Sequence, residues 1–191
     1  MAVHQRHRET AGGASDRIAV ALGVLADAGA AVAAAPTLAT ALQRLADAIA
    51  AVVAADLVVI RVRDGDDLSA CAVASRSTAV AAELEATRVP AADLQRFGAD
   101  GAESLSPPTR RAAVRLRAEH AFVLPVGGEE HTAGSIEVAR AGDPFDDSDR
   151  RLVTLAAAQT TLAIRALGVD EGVDAGADSI LSLAGDALVA V

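Results

Sequence analysis

Two histidines, His120 and His131, bracket the segment HAFVLPVGGEEH, with Glu129 and Glu130 beside the second. Imidazole and carboxylate groups so placed could hold a metal ion, or one imidazole could ligate haem. A structural metal site draws on about four ligands at characteristic spacing, and the rest of that set is missing, so both are expected as surface or turn residues. The run RDGDD, residues 63–67, offers three carboxylates. A calcium loop needs a longer spacing closed by a bidentate Glu, and a solvated hairpin turn fits better. The only cysteine, Cys71, lies in an alternating apolar run with no histidine nearby in sequence, as a small half-buried residue does.

Arg110, Arg111, Arg115 and Arg117 place four cations on one short segment and could steer an anionic metabolite. Phe97 and Phe122 are the aromatics near them, and the chain has no Trp or Tyr on which a nucleobase or haem would stack. The candidate ligand-binding set is therefore Phe97, Arg110, Arg115, His120 and Phe122, weighed against a solvated helix face. No Ser/His/Asp order, paired-carboxylate signature, Walker loop or dinucleotide motif occurs. No catalytic residue and no metal site is assigned, and the segment is not expected to be an enzyme.

These groups must be positioned by a chain of 191 residues, enough for one domain with flanking elements. Hydrophobic residues make up 52% of it, much of that alanine, so the core is expected to be small-residue and helix-rich. Every basic residue is arginine, the mark of a GC-rich coding sequence. A formal net charge of -9 disfavours nucleic acid and anionic membrane as partners. One cysteine fits a reducing compartment, and the N-terminal run has no apolar signal region. A cytoplasmic location without membrane spans is expected.

Residues 1–14 read as a flexible leader. Asp16 can cap a helix reaching residue 35, Pro36 breaks it, and Thr37 can cap a second carrying Leu38, Leu42, Leu45, Ile49 and Val52 at helical steps. LVVIRVRD alternates, with Val58, Ile60 and Val62 facing a core and Arg61 and Arg63 facing out. DGDD turns the chain into a returning strand from Leu68. A short helix within 77–87, a brief RVP strand, a helix capped by Thr109, and a second hairpin follow; in its later strand Ile136 and Val138 alternate with Ser135 and Glu137. In the last well-marked helix, Asp146 and Asp149 form a capping-box variant, the helix starts near Asp147, and Gly168 ends it.

The order helix, helix, hairpin, irregular middle, hairpin, long helix resembles the GAF domain, a small-molecule-sensing fold of signalling proteins. TLATALQRLADAIAAVVAADLVVIRV, FVLPVGGEEHTAGSIEVAR and FDDSDRRLVTLAAAQTTLAI carry the likeness. It implies an α+β, PAS-related fold: an antiparallel sheet of about six strands, helices on both sides, the first and last helices together on one face, and a ligand pocket on the other built from residues 81–119. It also implies a homodimer through the terminal helices, with Ile18, Leu22, Leu25, Leu155 and Leu162 as interface candidates. The cyclic-nucleotide signature of the family is absent, since Ala139 and Arg140 stand where Asn-Lys would be. Bilin attachment is not expected either, because Cys71 is followed by Ala72 rather than histidine. No cofactor is expected, neither haem nor bilin.

The expected organisation is a GAF domain over 15–168 that includes the N-terminal helix, an acidic linker over 169–178, and the start of a following helix or module over 179–191. LSLAGDALVAV, residues 181–191, loosely matches LGVLADAGAAV, residues 22–32. The function implied is a sensory or regulatory input domain of a bacterial signal-transduction protein, foremost a sensor histidine kinase, with an unidentified small ligand and an output domain in cis. The alternatives are a ligand-free GAF-fold dimerisation module and the input domain of a diguanylate cyclase, phosphatase or transcription regulator. A methionine-sulfoxide reductase of this fold would need several pocket cysteines.

Overall fold

Five α-helices and five strands, with a 3-10 turn at Ala102–Ser104 before the fourth helix, follow one another in the computed structural model, which describes residues 2–92, 100–127 and 132–187, with side chains between 17 and 167. They are α1 (Ala2–Ala33), α2 (Leu38–Val52), β1 (Leu57–Asp64), β2 (Asp67–Ser75), α3 (Thr78–Leu84), β3 (Arg88–Pro90), α4 (Pro107–Arg115), β4 (His120–Gly127), β5 (Thr132–Arg140) and α5 (Asp147–Ala187). The sheet is antiparallel throughout, in the order β3-β2-β1-β5-β4. Five strands stand where about six were expected. Outside them Asp100 makes a single bridge to Phe122, on the free edge of β4.

Both faces of the sheet are covered. On one, Val58, Ile60, Phe122, Ile136 and Val138 pack with Leu25 of α1, Leu42, Leu45 and Ile49 of α2, and Leu152, Val153 and Ala156 of α5. On the other, Leu57, Val59, Val73, Val123 and Ala139 pack beneath Val80 and Leu84 of α3 and Ala112, Ala113 and Leu116 of α4. The first and last helices thus share a face, as the resemblance implies.

Local chemistry explains most of the boundaries. Thr37 caps α2, its Oγ1 accepting the Thr40 N–H at 3.2 Å. At the start of α5 the box is reciprocal: Asp146 Oδ1 accepts the Asp149 N–H at 2.8 Å, and Asp149 Oδ2 accepts the Asp146 N–H at 3.2 Å. The backbone N–H of Asp149, followed by that of Ser148 and the Arg17 guanidinium, outweighs burial and holds the Asp146 carboxyl below its ordinary value. A carboxyl lowered in the folded state stabilises above the unfolded value and ceases to do so as pH falls through the folded one. The stability difference between the wild type and Asp146→Ala is therefore expected to be full at neutral pH and to shrink as pH drops below about 4, as urea melts across that range would show.

Three helices are followed, one residue past the C-cap, by a non-glycine residue with positive φ, Ala86 (φ 60°) after α3 among them, and the other two ends close alike. The residue after the C-cap of α2 is Ala54, with φ 48°, and after that of α4 it is Arg117, with φ 55°. The Ala55 N–H reaches the Ala50 carbonyl at 2.9 Å and the Ala118 N–H reaches that of Ala113 at 2.9 Å, so each end closes as a Schellman motif without its glycine. Because left-handed backbone costs an L-residue roughly 1 kcal/mol, Ala54→Gly and Arg117→Gly are each expected to raise stability by up to about 1 kcal/mol in urea unfolding.

Several expectations are corrected. α1 begins at Ala2 rather than after Asp16, so 2–14 is helical; the stretch contains no proline, and Gly12 and Gly13 weaken a helix without ending it. Gly168 is not a cap: α5 runs through it and through 169–178 to Ala187, with no proline to stop it. Thr109 does not cap α4. Ser106 holds the N-cap position instead, its hydroxyl turned to Glu137 rather than to a helix N–H, with Pro107 and Pro108 in the first turn, and Thr109 is fully buried. Arg61 does not face solvent, being 0% exposed, and the polar residues that alternate along β5, Glu137 and Ser135, are buried with it at 3% and 1%. Alternation marks a wet face only where a sheet has one, and β1 and β5 are central strands covered on both sides.

Candidate functional site

The expected pocket face holds at its centre a buried pair of opposite charges. Arg61 and Glu137 are diagonal neighbours on β1 and β5, since Val59 pairs with Glu137 and Arg61 with Ser135. The Arg61 Nε donates to Glu137 Oε1 at 2.9 Å. Its Nη1 donates to the carbonyl and hydroxyl of Thr87 at 2.9 and 3.2 Å, and its Nη2 to Thr109 Oγ1 at 3.2 Å. Glu137 Oε2 in turn accepts the Ser106 hydroxyl at 2.9 Å and the Ser106 N–H at 3.4 Å. Ser106 Oγ and Thr109 Oγ1 lie 3.0 Å apart and close the ring.

Both charges are thus bound from the sheet and from the segment above it. Ser106 holds the N-cap position of α4, so the Glu137 carboxylate sits where the positive end of that helix favours an anion. The first two helical residues are prolines and bring no N–H of their own. Gly134 sets the spacing on the strand side: a Cβ there would stand 2.1 Å from the Arg61 carbonyl oxygen. Desolvating two charges costs several kcal/mol each, and good geometry with extra hydrogen bonds offsets it. The cluster joins β1, β5, the α3–β3 connection and α4. Its hydroxyls bridge charges, and none has an imidazole partner among the described residues.

The residues singled out in the sequence are not gathered at this cluster. Arg110 donates to the carbonyls of Ala102, Glu103 and Leu105 at 3.1, 2.7 and 3.1 Å and so clamps the turn before α4. Arg115 pairs with Glu83 of α3 at the surface. His120 is half-buried at the start of β4, opposite Arg140. Phe122 lies on the other face of the sheet, edge-on to Phe145 with centroids 4.8 Å apart and under the Arg150 guanidinium. Phe97, Glu129, Glu130 and His131 lie outside the described residues. Among the described residues, no group of three or more His, Cys, Asp or Glu could hold a metal ion. Cys71 is half-buried and packs against the cluster on the α1, α2 and α5 side.

The interface candidates divide as well. Leu22, Leu155 and Leu162 are 44, 41 and 65% exposed, and Ile18 is half-buried, whereas Leu25 is fully buried inside the chain. α1 and α5 run parallel: Arg17 meets Asp146 at 3.1 Å, the Leu25 carbonyl accepts Gln159 Nε2 at 3.2 Å, and Val32 and Ala33 line a groove with Ala166 and Leu167. Gly29 makes room for Gln159, since a Cβ there would stand 2.9 Å from its Nε2. Among the described residues no helix is long and apolar enough to cross a membrane.

Comparison with solved structures places this architecture. The chromophore-binding domain of an unusual bacteriophytochrome from R. palustris superposes with a TM-score of 0.62 at 15% identity, over 78% of this chain and 62% of that one. The GAF domain of a phosphoenolpyruvate-protein phosphotransferase from Coxiella burnetii gives 0.63 at 14% identity, over 80% of this chain and 96% of that one. The phycocyanobilin-bound GAF domain of a cyanobacterial phytochrome gives 0.61 at 12% identity, over 78% and 96%. No family model matches the sequence, and no curated protein matches it. The chain has the α+β fold of a GAF domain. It spans under two thirds of the R. palustris domain and nearly all of the phosphotransferase GAF domain.

Proposed function

We propose that the chain is a regulatory GAF-fold module of a signal-transduction protein, such as the input region of a sensor histidine kinase, and that it works as a homodimer through α1 and α5. The observation that carries this is the pair of parallel helices, 32 and 41 residues long, with Leu22, Leu155 and Leu162 exposed along them. Exposed leucines in line on a helix are the material of a helix–helix seam. Beyond Leu162 the sequence keeps an apolar residue at alternating steps of three and four: Ala166, Val169, Val173, then Ile180 and Leu183, with Gly176 between. Its acidic residues Asp170, Glu171, Asp174 and Asp178 fall off that repeat. A bias applied to the domain would pass to an output domain as a shift between arrangements of the paired helices.

The self-filled centre of the other face favours regulation without a resident small ligand. Bilin is disfavoured on the same ground, and because Cys71 packs on the opposite side of the sheet. Sedimentation of the purified chain across concentration, with thermal melts in the presence of cyclic nucleotides, amino acids and small acids, tests the reading. A dimer weakened by Leu162→Glu and unmoved by those compounds is expected. A monomer at the highest concentration would overturn the dimer, and a saturable stabilisation by one compound would return the pocket to a sensing role.

A further inference from the structure

We propose that Arg61, Ser106 and Thr109 form a carboxylate-recognition site whose ligand, in this chain, is the side chain of Glu137. The proposal rests on the self-filled face described above and adds what that face recognises. The Arg61 guanidinium has no solvent exposure, and its Nε donates to the carboxylate at 2.9 Å. The second carboxylate oxygen takes the hydroxyl of Ser106 at 2.9 Å and its N–H at 3.4 Å. Thr109 Oγ1 is tied to both sides, 3.2 Å from Arg61 Nη2 and 3.0 Å from Ser106 Oγ. A cation, a hydroxyl and the capping N–H of a nine-residue helix converging on one planar anion are the groups a free carboxylate would need.

A second observation is independent of that helix. Ser135, 1% exposed and paired across the sheet with Arg61, is on the same face of β5 as Glu137, and its hydroxyl has no hydrogen-bond partner among the described residues. A buried hydroxyl without a partner is uncommon in a native fold. On the sheet face that carries Arg61 and Glu137 it is a further buried polar group for a bound carboxylate or its water to meet.

The site therefore recognises a small monocarboxylate once its own side chain is withdrawn. Glu137→Ala leaves a cavity facing the Arg61 guanidinium, about the size of the acetate it lacks. Acetate is expected to raise the melting temperature of Glu137→Ala in a saturable manner, and chloride at equal ionic strength is not. The wild type, whose site is occupied, and Arg61→Met/Glu137→Ala, whose cation is gone, are expected not to respond specifically to acetate. Should Glu137→Ala not fold in chloride, folding recovered on refolding in acetate supports the site, and no recovery overturns it. A response of the single variant no different from that of the double variant also overturns it. The dimer is read separately by sedimentation of the wild type, so loss of either proposal leaves the other standing.

Discussion

Replacing Glu137 by leucine with Arg61 left in place is expected to destabilise the fold by about 3–5 kcal/mol, because the fully buried guanidinium loses its counter-charge. Removing both charges together, in Arg61→Met/Glu137→Leu, is expected to recover most of that loss, since an apolar pair of similar volume needs no desolvation of ions. Urea unfolding of the two single variants and the double variant closes the cycle and yields the coupling between them. A double variant as unstable as Glu137→Leu would mean that the hydroxyls of Thr87, Ser106 and Thr109, left without charged partners, carry the greater part of the energy. The outcome matters beyond stability. A buried pair that apolar residues can replace without loss is retained for something other than holding the sheet together.

The second large effect separates two leucines three residues apart. Leu25→Ala is expected to cost about 2–5 kcal/mol, because the side chain is fully enclosed among α1, α2 and α5 and its removal leaves a cavity. Leu22→Ala, at a position 44% exposed, is expected to change the stability of the folded chain by no more than about 0.5 kcal/mol while weakening self-association. Thermal melts and sedimentation read the two effects separately. Equal losses of stability at both positions would place Leu22 in the intramolecular core and remove it from any seam. The resemblance proposes both as interface residues, and only burial distinguishes them.

How far the fold could be read in the chain depended on whether a signal was local. Thr37 and the pair Asp146 and Asp149 are legible because a cap is decided by three or four consecutive residues, and all three do what their spacing predicts. The two hairpins are legible for the same reason, with Gly65 at φ 63° turning the first. Ser106 could have been preferred to Thr109 as a cap, since proline belongs in the first turn of a helix and Pro107 and Pro108 follow it directly. What was not legible depended on partners far away in sequence. Arg61 and Glu137 are 76 residues apart, and each by itself reads as the wet side of an alternating strand. The available signal was their opposite charge at matching parity on two strands that both lie inside the sheet. It becomes informative only once α3 and α4 are known to cover that face. Gly168 misleads in the opposite direction: a glycine after an apolar stripe marks a helix end only where the chain beyond it cannot go on, and α5 goes on.

The parallel course of α1 and α5 has a mechanical consequence. Contacts between them span Arg17 to Ala33 on one side and Asp146 to Leu167 on the other, so α1 overhangs the contact at its N-terminal end and α5 at its C-terminal end. With a rise of 1.5 Å per residue these overhangs reach roughly 20 and 30 Å in opposite directions. The folded body is then a collar mounted on a shaft, whose two free ends leave on opposite sides along nearly one axis. In the proposed signalling role, a turn of this shaft is expected to pass from end to end without the body having to open. The angular phase at which α5 delivers its face is fixed by residue count, each residue inserted or removed past the collar turning everything beyond it by about 100°.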